Sequence, residues 1–185
     1  MNQDWITAAL EFAIEKHAGD FRDGDVPLPY ISHVIEVANF VRYIGGVTDP
    51  EMIAAAFLHD VLEHGGATIE ELQVHFSERI VELVGQLTRT EPTKVGHLSK
   101  DQLRDLRSEL LLEDIATRME PDAQTIKLAD RLSNLICALQ TRKGEKRKRY
   151  LTQTAAILER IPRAVNPALW DAVASIAKQG LASIP

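Results

Sequence analysis

His33, His59, Asp60 and Asp130 are polar residues set in otherwise apolar helical patterns. Two imidazoles and two carboxylates suit a divalent transition metal of borderline hardness, and by ligand type alone manganese, iron and zinc all qualify. Ligands drawn from separate helices leave coordination positions for water and a phosphate oxygen. Such an ion polarises a phosphoryl group and lowers the pKa of its bound water. Taken singly, each residue has a plainer reading: His33 as a cap or surface histidine, Asp130 as an ion-pair partner of Arg131 or a lysine. His17, His75 and His97 lack a comparable setting and read as structural or surface residues.

The stretch Ala54-Ala55-Ala56-Phe57-Leu58-His59-Asp60-Val61-Leu62-Glu63-His64 starts as an apolar helix and ends in groups able to bind a metal or move a proton. On a helix, residues three and four apart share a face, so Glu63 neighbours both His59 and Asp60. Gly65-Gly66 stops that helix. In Ile126-Lys127-Leu128-Ala129-Asp130-Arg131-Leu132-Ser133-Asn134-Leu135, Asp130 and Asn134 likewise share a face.

Helices must position these groups, and the chain reads as all-α. Asp4 caps a first helix reaching His17, and the glycines and prolines between Ala18 and Pro29 make a loop. Asp20, Asp23 and Asp25 lack the spacing and closing Glu of a calcium loop. The pattern predicts a second helix over 31–44. A third, opened by Asp49-Pro50, carries the apolar stretch. Thr68 and Ser77 cap short helices, and a polar loop, open to being mobile, spans 88–99. Further helices are predicted over 101–118, over 123–139 capped by Asp122, over 145–159 after a basic run, and over 167–178.

A chain of 185 residues makes one domain, 1–185, the default, large enough for a core without disulfides. The single cysteine, Cys137, reads as a packing residue and fits a reducing, cytoplasmic setting. Net charge of −6 argues against a nucleic-acid polymer as partner, and no apolar run reaches the length of a membrane span. Oligomeric state is not encoded in any feature of the sequence.

The order His33, His59-Asp60, Asp130 is that of the HD-domain metal-dependent phosphohydrolases. The contexts Pro29-Tyr30-Ile31-Ser32-His33, Leu58-His59-Asp60-Val61-Leu62-Glu63 and Lys127-Leu128-Ala129-Asp130-Arg131-Leu132-Ser133-Asn134-Leu135 resemble the hydrolase domain of RelA/SpoT proteins. The length resembles the stand-alone small alarmone hydrolases, including the metazoan SpoT homologue, and the resemblance spans about residues 5 to 150.

This resemblance implies an all-α HD-domain helical bundle holding one divalent metal, usually Mn2+, through His33, His59, Asp60 and Asp130. The implied activity is removal of the 3′-diphosphate from the guanine nucleotide (p)ppGpp, giving GDP or GTP and pyrophosphate. Glu63 matches the first acid of the family's Glu-Asp pair and would position or deprotonate the attacking water. Arg22 matches an arginine contacting the base, Asn134 a residue near the ribose or phosphate, and Tyr150 a nucleotide-contacting tyrosine. The basic run Arg142 to Arg149 either attracts the anionic nucleotide or forms a solvated helix start.

Two departures stand out. Arg22-Asp23 replaces the family's Arg-Lys, and His64 replaces the second acid of the Glu-Asp pair. An imidazole accepts a proton but supplies no fixed negative charge. Either hydrolysis of (p)ppGpp is slow or absent, leaving another nucleotide substrate or an alarmone-binding role, or Glu63 suffices and His64 acts as acid to the leaving pyrophosphate.

Overall fold

A computed structural model describes residues 4–22, 24–93, 95–96 and 98–182. Asp23 and His97 lie outside them. The fold is all-α. In chain order the α-helices are α1 (Trp5–Lys16), α2 (Ile31–Asn39), α3 (Pro50–Leu58), α4 (Ile69–His75), α5 (Glu78–Leu87), α6 (Lys100–Thr117), α7 (Pro121–Thr141), α8 (Gly144–Arg160) and α9 (Pro167–Ala182). Among the described residues the only β feature is an isolated antiparallel bridge between Phe21 and Pro29, which closes the loop before α2. No described helix is long and apolar enough to cross a membrane.

Local chemistry sets most of the boundaries. Asp4, Asp49, Thr68 and Ser77 each accept a backbone amide in the first turn of the helix they precede. Ser99 and Gln102 form a reciprocal capping box at the start of α6. At the start of α7 the expected cap, Asp122, lies inside the helix: Pro121 takes the tolerated first position and Glu120 precedes it. Asp122 instead pairs with Arg79, which also holds Asp49 and Glu51. One guanidinium thereby ties together the starts of α3, α5 and α7.

The centre of the bundle is α3, buried at every position from Met52 to Leu58. It packs against α1, α2 and α5, while α7 packs against α2, α5, α8 and α9. Ala54, Ala55 and Ala56 are fully buried, and their small side chains let the neighbouring helices approach closely.

Two helices end differently from the expected pattern. The predicted second helix widens over Phe40–Ile44 into a π-helical turn, closed by the Gly45 amide on Phe40 O. A Cβ on Gly45 would lie 2.8 Å from Val41 O and 2.9 Å from a Leu169 methyl, so the chain passes there only as glycine. The third helix stops at Leu58 rather than at the Gly65-Gly66 pair. There His59 Nδ1 bonds Ala56 O at 2.9 Å, and the chain continues as overlapping turns, with the Glu63 and His64 amides both on Asp60 O. Gly66, at φ 67°, then redirects it.

The loop after α5 is anchored at its start. Thr90 places both its amide and its hydroxyl on the buried carboxylate of Asp114, which Arg118 also binds.

Candidate active site

The end of α3, the start of α2 and the middle of α7 bring His33, His59, Asp60 and Asp130 together. His33 Nε2 lies 3.6 Å from Asp60 Oδ2 and 3.4 Å from Asp130 Oδ1. His59 Nε2 lies 3.2 Å and 3.8 Å from the same two atoms. Ligand atoms of His33, His59 and Asp60 fall within 4.8 Å of one another. Both Nε2 atoms are buried without a hydrogen-bond partner. Buried polar nitrogens left unpaired are costly, and their convergence on two carboxylates fits a divalent ion.

The histidines are held from behind. His59 Nδ1 can only donate to the Ala56 carbonyl, which leaves the Nε2 lone pair facing the cluster. His33 Nδ1 bonds Ser133 Oγ at 2.8 Å. Asp130 turns one oxygen to Lys127 Nζ at 2.8 Å and the other to the cluster, where Asn134 Nδ2 also donates to it. Asp60 accepts the Tyr30 hydroxyl at 2.5 Å.

Burial would lower the pKa of His59, but the charges of Asp60 and Asp130 prevail and raise it to about 9. Burial acts in the opposite sense on Asp60 and Asp130. It is outweighed by His59 and His33 at Asp60, and by Lys127 and the histidines at Asp130, so both carboxyls sit below the usual range. Without metal, the cluster is therefore a compact network of carboxylates and a protonated imidazole.

Glu63 stands beside this cluster but is not free. Its carboxylate accepts the Arg89 amide at 2.8 Å and Nε at 2.7 Å, with Nη2 at 2.6 Å. His64 is half exposed, 3.9 Å from Glu63 Oε2, with its ring edge-on to Tyr30. It lies at the junction of two adjoining cavities. The smaller, about 400 Å³, takes in Arg22, Cys137 and Thr141. The larger, about 610 Å³, opens over Asp60, Glu63 and Asp130. Tyr30, His64, Asn134 and Arg142 line both.

Of the expected substrate contacts, Arg22 lines the smaller cavity, Tyr150 the larger and Asn134 both. Arg22 bonds Glu36 and Ser133 within the protein. The Tyr150 ring has the guanidinium carbons of Arg131 and Arg142 within 3.9 Å and 4.4 Å of its centroid. Arg142 from the basic run and Tyr150 just after it line the larger cavity, whereas Lys143, Lys146, Lys148 and Arg149 face solvent. Cys137, expected to be a packing residue, is only partly buried and lines the smaller cavity.

The HD domain family matches residues 9–163. The chain belongs to the HD domain family. Among relatives of this HD domain is the guanosine-3′,5′-bis(diphosphate) 3′-pyrophosphohydrolase MESH1 of Xenopus tropicalis, 34% identical over 130 residues, covering 70% of this chain and 67% of that protein. The guanosine-3′,5′-bis(diphosphate) 3′-pyrophosphohydrolase of Aquifex aeolicus is 36% identical over 154 residues, 82% of this chain but only 20% of that longer protein. The solved structure of a metazoan orthologue of SpoT, described as hydrolysing ppGpp, superposes with a TM-score of 0.81 at 28% identity over 97% of both chains.

Several residues of this HD domain were not singled out from the sequence. Tyr30 centres a cluster of rings formed with His17, His33 and His64, and it binds Asp60. His17 is buried behind Tyr30, where burial, opposed by Asp20, lowers its pKa. Arg89 reaches the site from the loop after α5, and Glu36 and Ser133 from the predicted helices α2 and α7. For Tyr30 a signal existed, a phenol three residues before His33 at the mouth of a helix.

Proposed function

We propose that the protein is a metal-dependent phosphohydrolase that removes the 3′-diphosphate of (p)ppGpp, releasing pyrophosphate and GDP or GTP. The observation that carries this reading is the pair of buried, unpartnered Nε2 atoms of His33 and His59 facing Asp60 and Asp130 beside a cation-lined cavity. The relatives' names add the substrate class.

His33, His59, Asp60 and Asp130 would hold the ion, and Mn2+ suits their two nitrogens and two oxygens. When bound, such an ion supplies Lewis acidity toward a phosphoryl oxygen and acidity to a coordinated water. Arg22 and the smaller cavity receive the base, where a guanidinium can stack on a purine and donate to its edge. Asn134 and Tyr150 bound the ribose and phosphate path. Arg89, Lys127 and Arg142 line the larger cavity and offset the charge of the diphosphate. Glu63, aimed by Arg89, orients the water that attacks the phosphorus bonded to the ribose 3′ oxygen and takes its proton. As that bond breaks, His64 at the junction of the cavities delivers a proton to the departing oxygen.

Incubation with ppGpp and Mn2+ tests this directly. Pyrophosphate and GDP should appear, and His59→Ala or Asp130→Ala should lose both bound metal and turnover. Full metal content in both variants overturns the site assignment. Release of monophosphate from another nucleotide, with ppGpp untouched, moves the substrate elsewhere.

A second reading, a weakly active or inactive alarmone-binding protein, draws on one observation. Arg89 occupies both oxygens of Glu63, and the neighbouring position offers an imidazole instead of a second carboxylate. Tight ppGpp binding without turnover at saturating Mn2+ favours it.

A further inference from the structure

His59 and His33 face the cluster in the same way, but they are held in it differently. His59 Nδ1 rests on a backbone carbonyl, which no side-chain substitution removes. His33 Nδ1 rests on a hydroxyl, Ser133 Oγ, which can donate or accept. A hydroxyl carries one hydrogen, and Ser133 has a stronger use for it. Its Oγ lies 2.5 Å from Glu36 Oε2, an acceptor-only carboxylate. With the hydrogen spent on Glu36, Ser133 Oγ must accept from His33 Nδ1–H. The tautomer of His33 is then settled, and its Nε2 keeps the lone pair that faces Asp60 and Asp130.

The Glu36 carboxylate is itself held. Arg22 Nη1 donates to Glu36 Oε2 at 3.3 Å and to Ser133 Oγ at 3.5 Å, while Nη2 reaches Ser133 O at 3.5 Å. Ser133 and His33 are buried, so water does not compete for the bond between them. Arg22 lines the smaller cavity, and the chain of contacts runs from there through Glu36 and Ser133 to His33.

We propose that Glu36 and Ser133 are positioning residues for the metal site: the hydrogen-bonded series Arg22–Glu36–Ser133–His33 fixes the tautomer and orientation of His33 and so sets the affinity for the ion. The inference rests on the metal reading of the cluster. Without the Ser133 hydroxyl, His33 Nδ1 has no partner and the proton is free to sit on Nε2. Without the Glu36 carboxylate, the Ser133 hydrogen is free to turn toward His33 Nδ1, which favours the tautomer that cannot ligate. Loss of such an outer partner weakens metal binding by about 10- to 100-fold.

The test is Mn2+ titration followed by electron paramagnetic resonance on the full chain, for the native protein, Ser133→Ala, Glu36→Ala and His59→Ala. Nitrogen-15 NMR of the histidine rings in the metal-free proteins reads the His33 tautomer. The native protein should bind Mn2+ with the Nδ1–H tautomer at His33, and His59→Ala should abolish binding. Ser133→Ala and Glu36→Ala should each weaken binding about tenfold or more and lose that tautomer preference, with melting still cooperative. Affinities within about twofold of native overturn the inference while leaving the metal site standing, as does weaker binding with the tautomer unchanged. A native protein that takes up no Mn2+ overturns the metal reading and this inference with it. Glu36 is partly exposed, so Glu36→Ala carries the test alone if Ser133→Ala does not fold.

Discussion

His59 makes the cluster sensitive to pH in a definite direction. Its pKa of about 9 without metal means that at neutral pH the metal-free imidazole is protonated, 3.2 Å from the Asp60 carboxylate. Because the folded value exceeds the ordinary 6.5, this proton stabilises the metal-free fold fully below about 6.5, and the contribution is lost as pH rises through about 9. Metal must displace the same proton. Mn2+ affinity should therefore climb by about tenfold per unit between about pH 7 and pH 9, with roughly one proton released per ion. Calorimetry in buffers of different ionisation enthalpy counts that proton, and an affinity flat across this range would remove His59 from the ligand set. His64 makes a separate prediction. As the acid for the departing oxygen, its replacement in His64→Ala should lower kcat about 100-fold with KM nearly unchanged. Unchanged kcat, together with a gain of turnover in His64→Asp, favours the weakly active reading instead. The four candidate ligands were legible because each interrupts an apolar helical pattern. Glu36, Ser133 and Arg89 were not, because a single polar residue in a helix or loop looks ordinary until a distant segment lands on it. Ser133 and His33 are 100 positions apart, and no local pattern records their contact.

Most helices were legible because their caps are local chemistry: Asp4, Asp49, Thr68 and Ser77 all act within a turn of where they stand. The misjudged boundaries depend on tertiary partners. Apolar periodicity runs past Leu58, but the His59 ring takes the Ala56 carbonyl and the helix ends at Leu58, so that Asp60, Glu63 and His64 fall in the turns that follow. Asp122, a good cap by residue type, is drawn instead to Arg79. The turns from His59 to Gly66 make the position of Glu63 dependent on a glycine. A Cβ on Gly65 would lie 2.9 Å from Lys16 Cβ and 3.1 Å from Val61 O, atoms that cannot swing away. Gly65→Ala should therefore cost about 1–3 kcal/mol of stability, seen as a fall in Tm. It should also lower kcat, because α1 and the turn must part to admit the methyl group and Glu63 moves with the turn. A Tm equal to native would mean that the turn yields without strain and that Glu63 is not held by it.

At the scale of the molecule, net charge and local charge have opposite signs. The chain carries −6, yet Arg89, Lys100, Arg104, Arg107, Lys127, Arg131 and Arg142 all line the larger cavity, against Asp60, Glu63 and Asp130. These cations come from the α5–α6 loop and from α6, α7 and the turn after α7, so their convergence is a product of the bundle and not of any basic run. Net charge alone could not reveal this concentration of cations. On a chain of net negative charge, such a basic opening focuses the field and steers a polyanionic nucleotide toward it. Part of the row is already neutralised: Arg104 pairs with Asp101 and Asp105, and Arg107 with Glu91, all at exposed positions where salt screens the charges. Binding should thus weaken with ionic strength while chemistry at the buried cluster does not. KM for ppGpp is expected to rise severalfold between about 50 mM and about 500 mM salt, where the screening length shortens to a few ångströms. Over the same range kcat should stay within about twofold, since buried charges are screened far less. Lys100→Gln combined with Arg104→Gln should raise KM at low salt and flatten its salt dependence. A steep, native-like salt dependence in that double variant would assign the attraction to the inner cations, Arg89, Lys127 and Arg142, and leave α6 as the outer wall of the cleft alone.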